Sequence, residues 1–434
     1  MSSDKSIYAK RRARLLKQMQ HGIAIISTAP EVARNADAHY DYRHDSNFYY
    51  LTGFTEPEAV LVLISGRKKQ SILFCRDKDP EHEVWDGFRF GPDAAKEQFG
   101  FDQTYSVTRL DEKLPDLMGN QPTLFYPLGE SMAWDRRILK MRNTVKTKAR
   151  IGIHAPEEIR DVRTLLNEMR LFKDKHELAI MHRAASISCE AHRRAMRFTR
   201  PDQYEYQIEA ELLHEFCSHG ARHPAYTSIV AGGKNACVLH YVGNNARLRN
   251  GDLLLIDAGC EFGGYAADIT RTFPVNGKFS AAQKDVYEIV LAAQTAAISS
   301  TKPKKSWNAP HEAALRVLAQ GFIDLKLCKG SLDAVLENES YKRFYMHRTG
   351  HWLGMDVHDV GDYKVDGKWR KLEPGMSLTV EPGCYIRPAR NVPKALWNIG
   401  IRIEDDVVIT EKGNKVLTEA APKTVAEIEE LMKE

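Results

Sequence analysis

Long apolar runs are missing from this chain. No stretch of eighteen consecutive apolar residues occurs among its 434 residues, which excludes a membrane-spanning helix as an organising element. An excess of one charge is missing too. Lys and Arg number 62 against 58 Asp and Glu, a formal net charge of +4, so nothing calls for nucleic acid or an anionic membrane as partner. Short basic runs such as Arg67-Lys68-Lys69 and Lys302-Pro303-Lys304-Lys305 read as solvated loops. The seven cysteines are an odd number without a CxxC pair, the usage of reduced thiols rather than of a disulfide framework. The opening MSSDKSIYAKRRARLLKQMQ lacks the apolar core of a signal peptide, and with the thiols this gives the expectation of a cytoplasmic protein. Catalytic signatures are also lacking: there is no GxSxG elbow, no HExxH and no GxxxxGK[ST] loop, and AGGKN at 231–235 is too short to cradle a phosphate.

What remains is an ordinary globular composition, 43% apolar and 28% charged, on a length that suggests two domains. Residues 1–172 mix β-rich runs, Ala59 to Ile64 and Ser71 to Phe74, with polar helix-like stretches, the pattern of a small α/β domain. From 173 to 434 the character changes. Asp174 with Glu177 forms a capping box, followed by Leu178, Met181, Ala185, Cys189 and Met196 at helical spacing. A second helix through Ile208, Leu212 and Phe216 should stop near Gly220.

The segment NGDLLLIDAGCEFGGYAADITRTFPV reads as a strand, a glycine-rich turn and a second strand, with Asp257 ending the apolar run and Asp268 in the middle of the second strand. The grammar returns. Gly251 is followed by Asp257, Gly259 and Cys260 at offsets six, eight and nine, and Gly375 by Glu381, Gly383 and Cys384 at the same offsets. A further acid follows each, Asp268 in YAADITRTF and Glu404 in IGIRIEDDVVIT. The pattern is an internal repeat in which two half-domains each deliver two carboxylates to a shared seam.

Buried carboxylates cost several kcal/mol each unless neutralised. Arg271, Arg387 and Arg402 are available for a salt-bridged core, but Asp257 and Glu381 have no arginine beside them in sequence, which makes divalent metal the better counter-ion. Alternation puts Arg402 and Glu404 on one face of their strand, and Ala266, Asp268 and Thr270 on one face of theirs. HWLGMDVHDVG supplies nitrogen. His347, His351 and His358 fall within twelve residues, where even spacing of the 16 histidines would put about 0.4. One would ligate metal and the others act on substrate. His240, in VLHYVGN, is a further candidate, whereas His176 and His311 read as ordinary surface or core residues. Four carboxylates with one or two imidazoles suit Mn, Co, Fe or Zn, and acids able to bridge suggest two ions.

These motifs, IDAGCEFGGYAADITRTFPVNGKF, HWLGMDVHDVG, LTVEPGCYI and GIRIEDD, together with the N-terminal RHDSNFYYLTGFTEPEAVLVLI, resemble those of the Xaa-Pro aminopeptidase (aminopeptidase P) family over nearly the whole chain. The resemblance implies an α/β (α+β) architecture: a C-terminal pita-bread fold with a pseudo-twofold β-sheet and flanking helices, preceded by a smaller α/β domain. It implies that Asp257, Asp268, His351, Glu381 and Glu404 bind two divalent ions, usually manganese, and that water activated there removes the first residue of peptides beginning Xaa-Pro. Glu381 would shuttle the proton, His358 and His240 would steady the developing oxyanion, and Arg402 would hold the surroundings of the metals or contact substrate. His347 and Tyr385 would line the substrate pocket with His240 and His358. A homodimer or homotetramer is implied, in which Trp85, in EVWDGFRFG, caps a neighbouring subunit's pocket, although read alone it is an ordinary packed aromatic. Two alternatives stay open: a prolidase acting on Xaa-Pro dipeptides, and a peptide-binding module without turnover.

Overall fold

The computed structural model of the protein describes residues 5–434. The chain divides into two compact units, Met1–Met169 and Arg170–Glu434, three residues earlier than the division at 172/173 read from the sequence.

The first unit is built on a six-stranded mixed sheet in the order Gln103–Ser106, Gln70–Cys75, Val60–Ser65, Gly22–Ser27, Thr123–Phe125, Glu158–Arg160. Both faces of the central strands are buried, which is why Val60–Ser65 reads as an unbroken apolar run rather than an alternating one. On one face Ile23, Ile25, Val62, Ile72 and Phe74 pack against Leu114 and Met118 of helix Leu110–Met118 and Ile138 and Met141 of helix Met132–Lys146.

The second unit is a doubled structure. In its first half, strand Leu253–Asp257 pairs antiparallel with Thr270–Pro274, and the intervening Cys260–Phe262 pairs with Tyr265–Ala266. In its second half, Ser377–Val380 pairs antiparallel with Asp405–Ile409, and the intervening Gly383–Ile386 pairs with Ile399–Arg402. The repeat seen in the sequence is therefore a repeat of topology. Gly251 and Gly375, which open the two halves, share a left-handed backbone (φ 89° and 91°), a conformation that favours glycine. Helix Lys175–Phe198 covers the first half and helix Ala281–Ser300 the second. The Asp174 capping box is present, its side chain accepting from the His176 and Glu177 amides while Glu177 accepts from the Asp174 amide. Helix Glu205–Ser218 ends as expected, with Gly220 at φ 84°.

One expectation needs correction. The second strand of each half is not continuous through its acid. Pairing lapses at 267–269, 381–382 and 403–404, so Asp268, Glu381 and Glu404 sit at breaks between strands and Asp257 at a strand end. At each break the backbone leaves one sheet for the other and exchanges ladder bonds for bonds across the seam. The Glu404 amide donates to Thr270 O (3.0 Å) and the Asp268 amide to Asp406 Oδ2 (3.1 Å), both from one half to the other, while the Ala258 amide bonds Ile269 O (3.0 Å) within the first half. Side chains at such breaks are released from strict alternation and can converge.

The loop 351–361 is anchored from behind. Trp352 is fully buried, its ring 4.0 Å from that of Trp307 and stacked on Tyr363. Asp359 is buried between Lys173 Nζ (2.9 Å) and the Arg170 guanidinium (2.6 Å), which also reaches Asp356. These contacts tie residues 170–173 to the second unit. Burial alone would raise the Asp359 carboxyl, but Lys173 and Arg170 hold it below its ordinary 3.8. Its contribution to stability is therefore complete above about pH 4 and is lost as pH falls further, through the lower folded-state value. Asp359→Asn, which takes the carboxylate from buried Lys173 and leaves Arg170 with Asp356, should cost ~3 kcal/mol at pH 7. In urea unfolding, the gap between variant and wild type should hold from pH 7 to about 5 and narrow as the pH falls below about 4; a gap independent of pH would contradict the pairing.

Candidate metal centre

The two halves meet where their acids are delivered. Nε2 of His351 lies 3.4 Å from Asp268 Oδ2 and 3.6 Å from Glu381 Oε1. Ligand atoms of Asp268, His351 and Glu404 all fall within 4.8 Å of one another. Asp257 joins through Tyr226, whose hydroxyl is 2.6 Å from Asp257 Oδ1 and 2.5 Å from Asp268 Oδ1. All five residues picked from the sequence thus belong to one contiguous cluster.

Each carboxylate has a defined holder. Thr270 Oγ1 donates to Glu404 Oε2 (2.6 Å), and Thr379 Oγ1 to Glu381 Oε1 (3.3 Å). The Glu381 amide donates to Thr349 O, and Arg402 grips Asp257 Oδ2 through one terminal nitrogen while Nε donates to Thr270 Oγ1. Nδ1 of His351 faces Trp352 O at 2.9 Å. That bond requires the proton on Nδ1 and turns Nε2 toward the acids, where it carries a proton in the metal-free protein and would offer a lone pair to a cation taking that proton's place.

Of the arginines named as counter-ions, Arg402 alone reaches one of the four acids through its side chain–side chain bonds. Arg271 pairs with Asp405 instead (2.7 Å) and bonds the Glu404 carbonyl, and Arg387 donates to Cys237 O. The electrostatics are correspondingly unbalanced. Burial pushes up Asp257, against the pull of Arg402, and pushes Glu381 up to about 7 despite His351 and Arg402. Burial, with Asp268 and Glu381 beside it, drives Glu404 well above the usual range. Asp268 alone is held below it: His351 outweighs the effect of burial. His351 itself, which burial would lower, is held up at about 9 by Asp268 and Glu381. The Tyr226 hydroxyl has one proton and two carboxylate neighbours, so it satisfies only one at a time. A set of four carboxylates and one oriented imidazole, short of positive charge, fits divalent cations of intermediate hardness.

The remaining candidates border this cluster. His347 Nε2 is 2.8 Å from the Tyr385 hydroxyl, which accepts from Arg402 (3.1 Å), and burial together with Arg402 lowers the ring to about 3. The His358 ring lies 4.2 Å from that of His351, and burial and His351 lower it too. His240 is exposed, close enough for its charge to be felt at both His347 and His358.

Several members were not read from the sequence. Thr379 and Asp406 stand two residues from Glu381 and Glu404 on the same side, and Thr270 was placed on the Asp268 face without a role, so period-two spacing was the available signal. Tyr226 carried no signal: HPAYTSIV has no acid or repeat to mark it. His311, read as ordinary, bonds Thr349 Oγ1, which also meets the Tyr345 hydroxyl, behind the loop joining His347 to His351.

A cluster of hard oxygen donors around one imidazole is the donor set of a divalent-metal hydrolase. Comparison with known proteins sharpens this. The profile of metallopeptidase family M24 matches residues 179–411, and that of the aminopeptidase P N-terminal domain matches residues 8–126. Xaa-Pro aminopeptidase of Haemophilus influenzae is 46% identical over 99% of this chain and 97% of its own length. The Escherichia coli enzyme of that name is 45% identical over 98% and 97%. Among solved structures, aminopeptidase PepP of Pseudomonas aeruginosa superposes with a TM-score of 0.98 at 52% identity, covering 99% of this chain and 98% of that one. Zn-substituted E. coli aminopeptidase P in complex with product superposes at 0.97 and 44% identity, covering 100% and 99%. The chain belongs to metallopeptidase family M24, and its fold is the pita-bread fold of the aminopeptidase P structures, as the sequence motifs implied.

Tyr226→Phe should lower the affinity for Mn(II) by ~10–100-fold, the usual cost of losing a group that orients metal ligands, with the circular dichroism spectrum unchanged. Titration calorimetry checks this; wild-type affinity would show that the hydroxyl does not organise the two aspartates.

Proposed function

We propose that this chain is a metal-dependent exopeptidase that releases the N-terminal residue from peptides with proline in second position. The observation that carries the reading is the five-residue cluster on a chain 45–46% identical, over nearly its whole length, to Xaa-Pro aminopeptidases. Asp257, Asp268, His351, Glu381 and Glu404 would hold two divalent ions, manganese by preference, with Co, Zn or Fe as chemically acceptable substitutes. When bound, such ions lower the pKa of water toward neutrality and polarise the scissile carbonyl.

The chain's own groups do the rest. Glu381, at the seam beside His351, would accept a proton from the attacking water and return it to the prolyl nitrogen as the amide bond breaks. Any peptide nitrogen needs such a proton to leave; what sets proline apart is that its nitrogen offers no N–H as a contact, so proteases that rely on one there fail. His347 is held neutral by burial and Arg402 and, with Tyr385, lines the substrate side of the seam. His358, beside His351, and His240 would donate to the carbonyl oxygen as charge develops on it. Arg402 fixes Asp257 and Tyr385 at once, so one guanidinium sets both a ligand and a pocket wall.

The cell compartment on this reading is the cytoplasm; among the described residues no helix is long and apolar enough to cross a membrane. Assembly into a homodimer or homotetramer is supported by helix Pro80–Asp86, which buries none of its residues and leaves Trp85 86% exposed, an unusual placement for tryptophan unless a second copy covers it.

Metal-stripped protein should be inactive and regain turnover of Xaa-Pro-Xaa tripeptides on addition of Mn(II). Preference for Xaa-Pro dipeptides would make it a prolidase, and peptide binding without turnover would make it a recognition module. Glu381→Gln should lower kcat by about 10²–10⁴-fold, the range for loss of a general acid–base group; a variant at wild-type rate would remove Glu381 from the proton path.

A further inference from the structure

His240 stands on a loop whose geometry is set by a buried carboxylate. Glu205, the first residue of helix Glu205–Ser218, is 0% exposed. Its Oε1 accepts from the Gly232 amide (2.8 Å) and Asn235 Nδ2 (3.0 Å), at the start of the segment that leads to His240. Its Oε2 accepts from the Tyr241 hydroxyl (2.8 Å) and the Ala246 amide (2.8 Å), just after His240. The Glu205 amide closes the ring by donating to Ala246 O (3.0 Å). One side chain therefore staples the segment 232–246 at four points, Gly232, Asn235, Tyr241 and Ala246.

The neighbours show what the staple holds in place. Leu239 and Tyr241, on either side of His240, pack against the cluster that contains Ile229, Leu255 and Tyr385, while Cys237 O accepts from Arg387. Asn244, at φ 42°, takes the Val230 amide (3.0 Å) and gives to Ser228 O (2.8 Å), fixing the far limb along strand Ile229–Gly232. His240 is left as an exposed side chain between two packed ones, near enough to His347 and His358 to act on them electrostatically. A buried anion with four donors is expensive to assemble, and the fold places it where a loop of this length would otherwise sample many conformations.

We propose that Glu205 is a positioning residue for the peptidase reaction, holding His240 at the substrate. The inference rests on the role given to His240 above. A glutamine has the same shape but turns one acceptor into a donor. Whichever way its amide points, a donor of the chain is left facing an N–H: Gly232 and Asn235 on one side, the Ala246 amide on the other.

The test is tripeptide turnover by metal-loaded wild type, His240→Ala, Glu205→Gln and the double variant, with metal content and melting temperature recorded for each. Glu205→Gln should lower kcat/KM by about 10–100-fold, as misplacement of a reactive-site group does. The loss should fall on the same parameter, kcat or KM, as in His240→Ala, and the double variant should match His240→Ala alone. Full multiplication of the two losses, or a lowered melting temperature with unchanged kcat/KM, would reduce Glu205 to a structural residue and leave the role of His240 intact. If His240→Ala itself turns over at the wild-type rate, the reading of His240 fails and the proposal with it. Should Glu205→Gln not fold, Tyr241→Phe removes one of the four donors. It should give a smaller loss of the same kind that vanishes in the His240→Ala background, and persistence of the loss there would overturn the proposal.

Discussion

Four carboxylates buried in one seam are the constraint on which the second unit depends. Each would cost several kcal/mol if left as an isolated anion, and the protein supplies one guanidinium, Arg402, and one imidazole, His351, against them. The result is visible in the directions of their pKa shifts: Asp257, Glu381 and Glu404 are all pushed toward the protonated form, and Asp268 alone is held ionised, by His351. On the proposed reading, two doubly charged ions resolve this imbalance, and the same charge deficit that makes the site costly makes it bind.

The doubled architecture is how a chain brings four acids to one place. Each half delivers one acid where its first strand ends, Asp257 as the last strand residue and Glu381 just past it, and one at a break further on. Because the breaks occur where the backbone passes between sheets, the acids escape the alternation that would otherwise send neighbours to opposite faces. A threonine two residues away holds Glu381 and one from the other half holds Glu404, each by a hydroxyl bond, and Asp406 holds the Asp268 amide. Behind the histidine loop, Trp352 and the Arg170–Asp359–Lys173 cluster fix the segment from the side opposite the acids.

Much of this was legible in the sequence because it is carried by local patterns. The offsets from Gly251 and Gly375 registered the repeat, and the left-handed backbone at both glycines explains why those residue types recur. The density of histidines between 347 and 358 marked the imidazole side of the cluster, and the Asp174 capping box marked the start of the second unit's first long helix. What was not legible depends on contacts between distant segments. Tyr226 meets acids 31 and 42 residues away, and Arg170 meets Asp359 across 189 residues; no period or spacing in one chain encodes such pairs. The strand breaks were missed for a related reason. YAADITRTF alternates well enough to be a strand, and only the competing bonds from the other half, such as Glu404 to Thr270, interrupt it.

The central claim is that the seam is a cation site and not a salt-bridged core. Calorimetric titration of metal-stripped protein with Mn(II) tests it most directly, read together with the melting temperature across the same titration. The account predicts two ions per chain and a melting temperature that climbs with free metal, since an ion bound only by the folded state stabilises it by mass action. A protein that takes up no ion, and melts at the same temperature in chelator as in excess Mn(II), would contradict it.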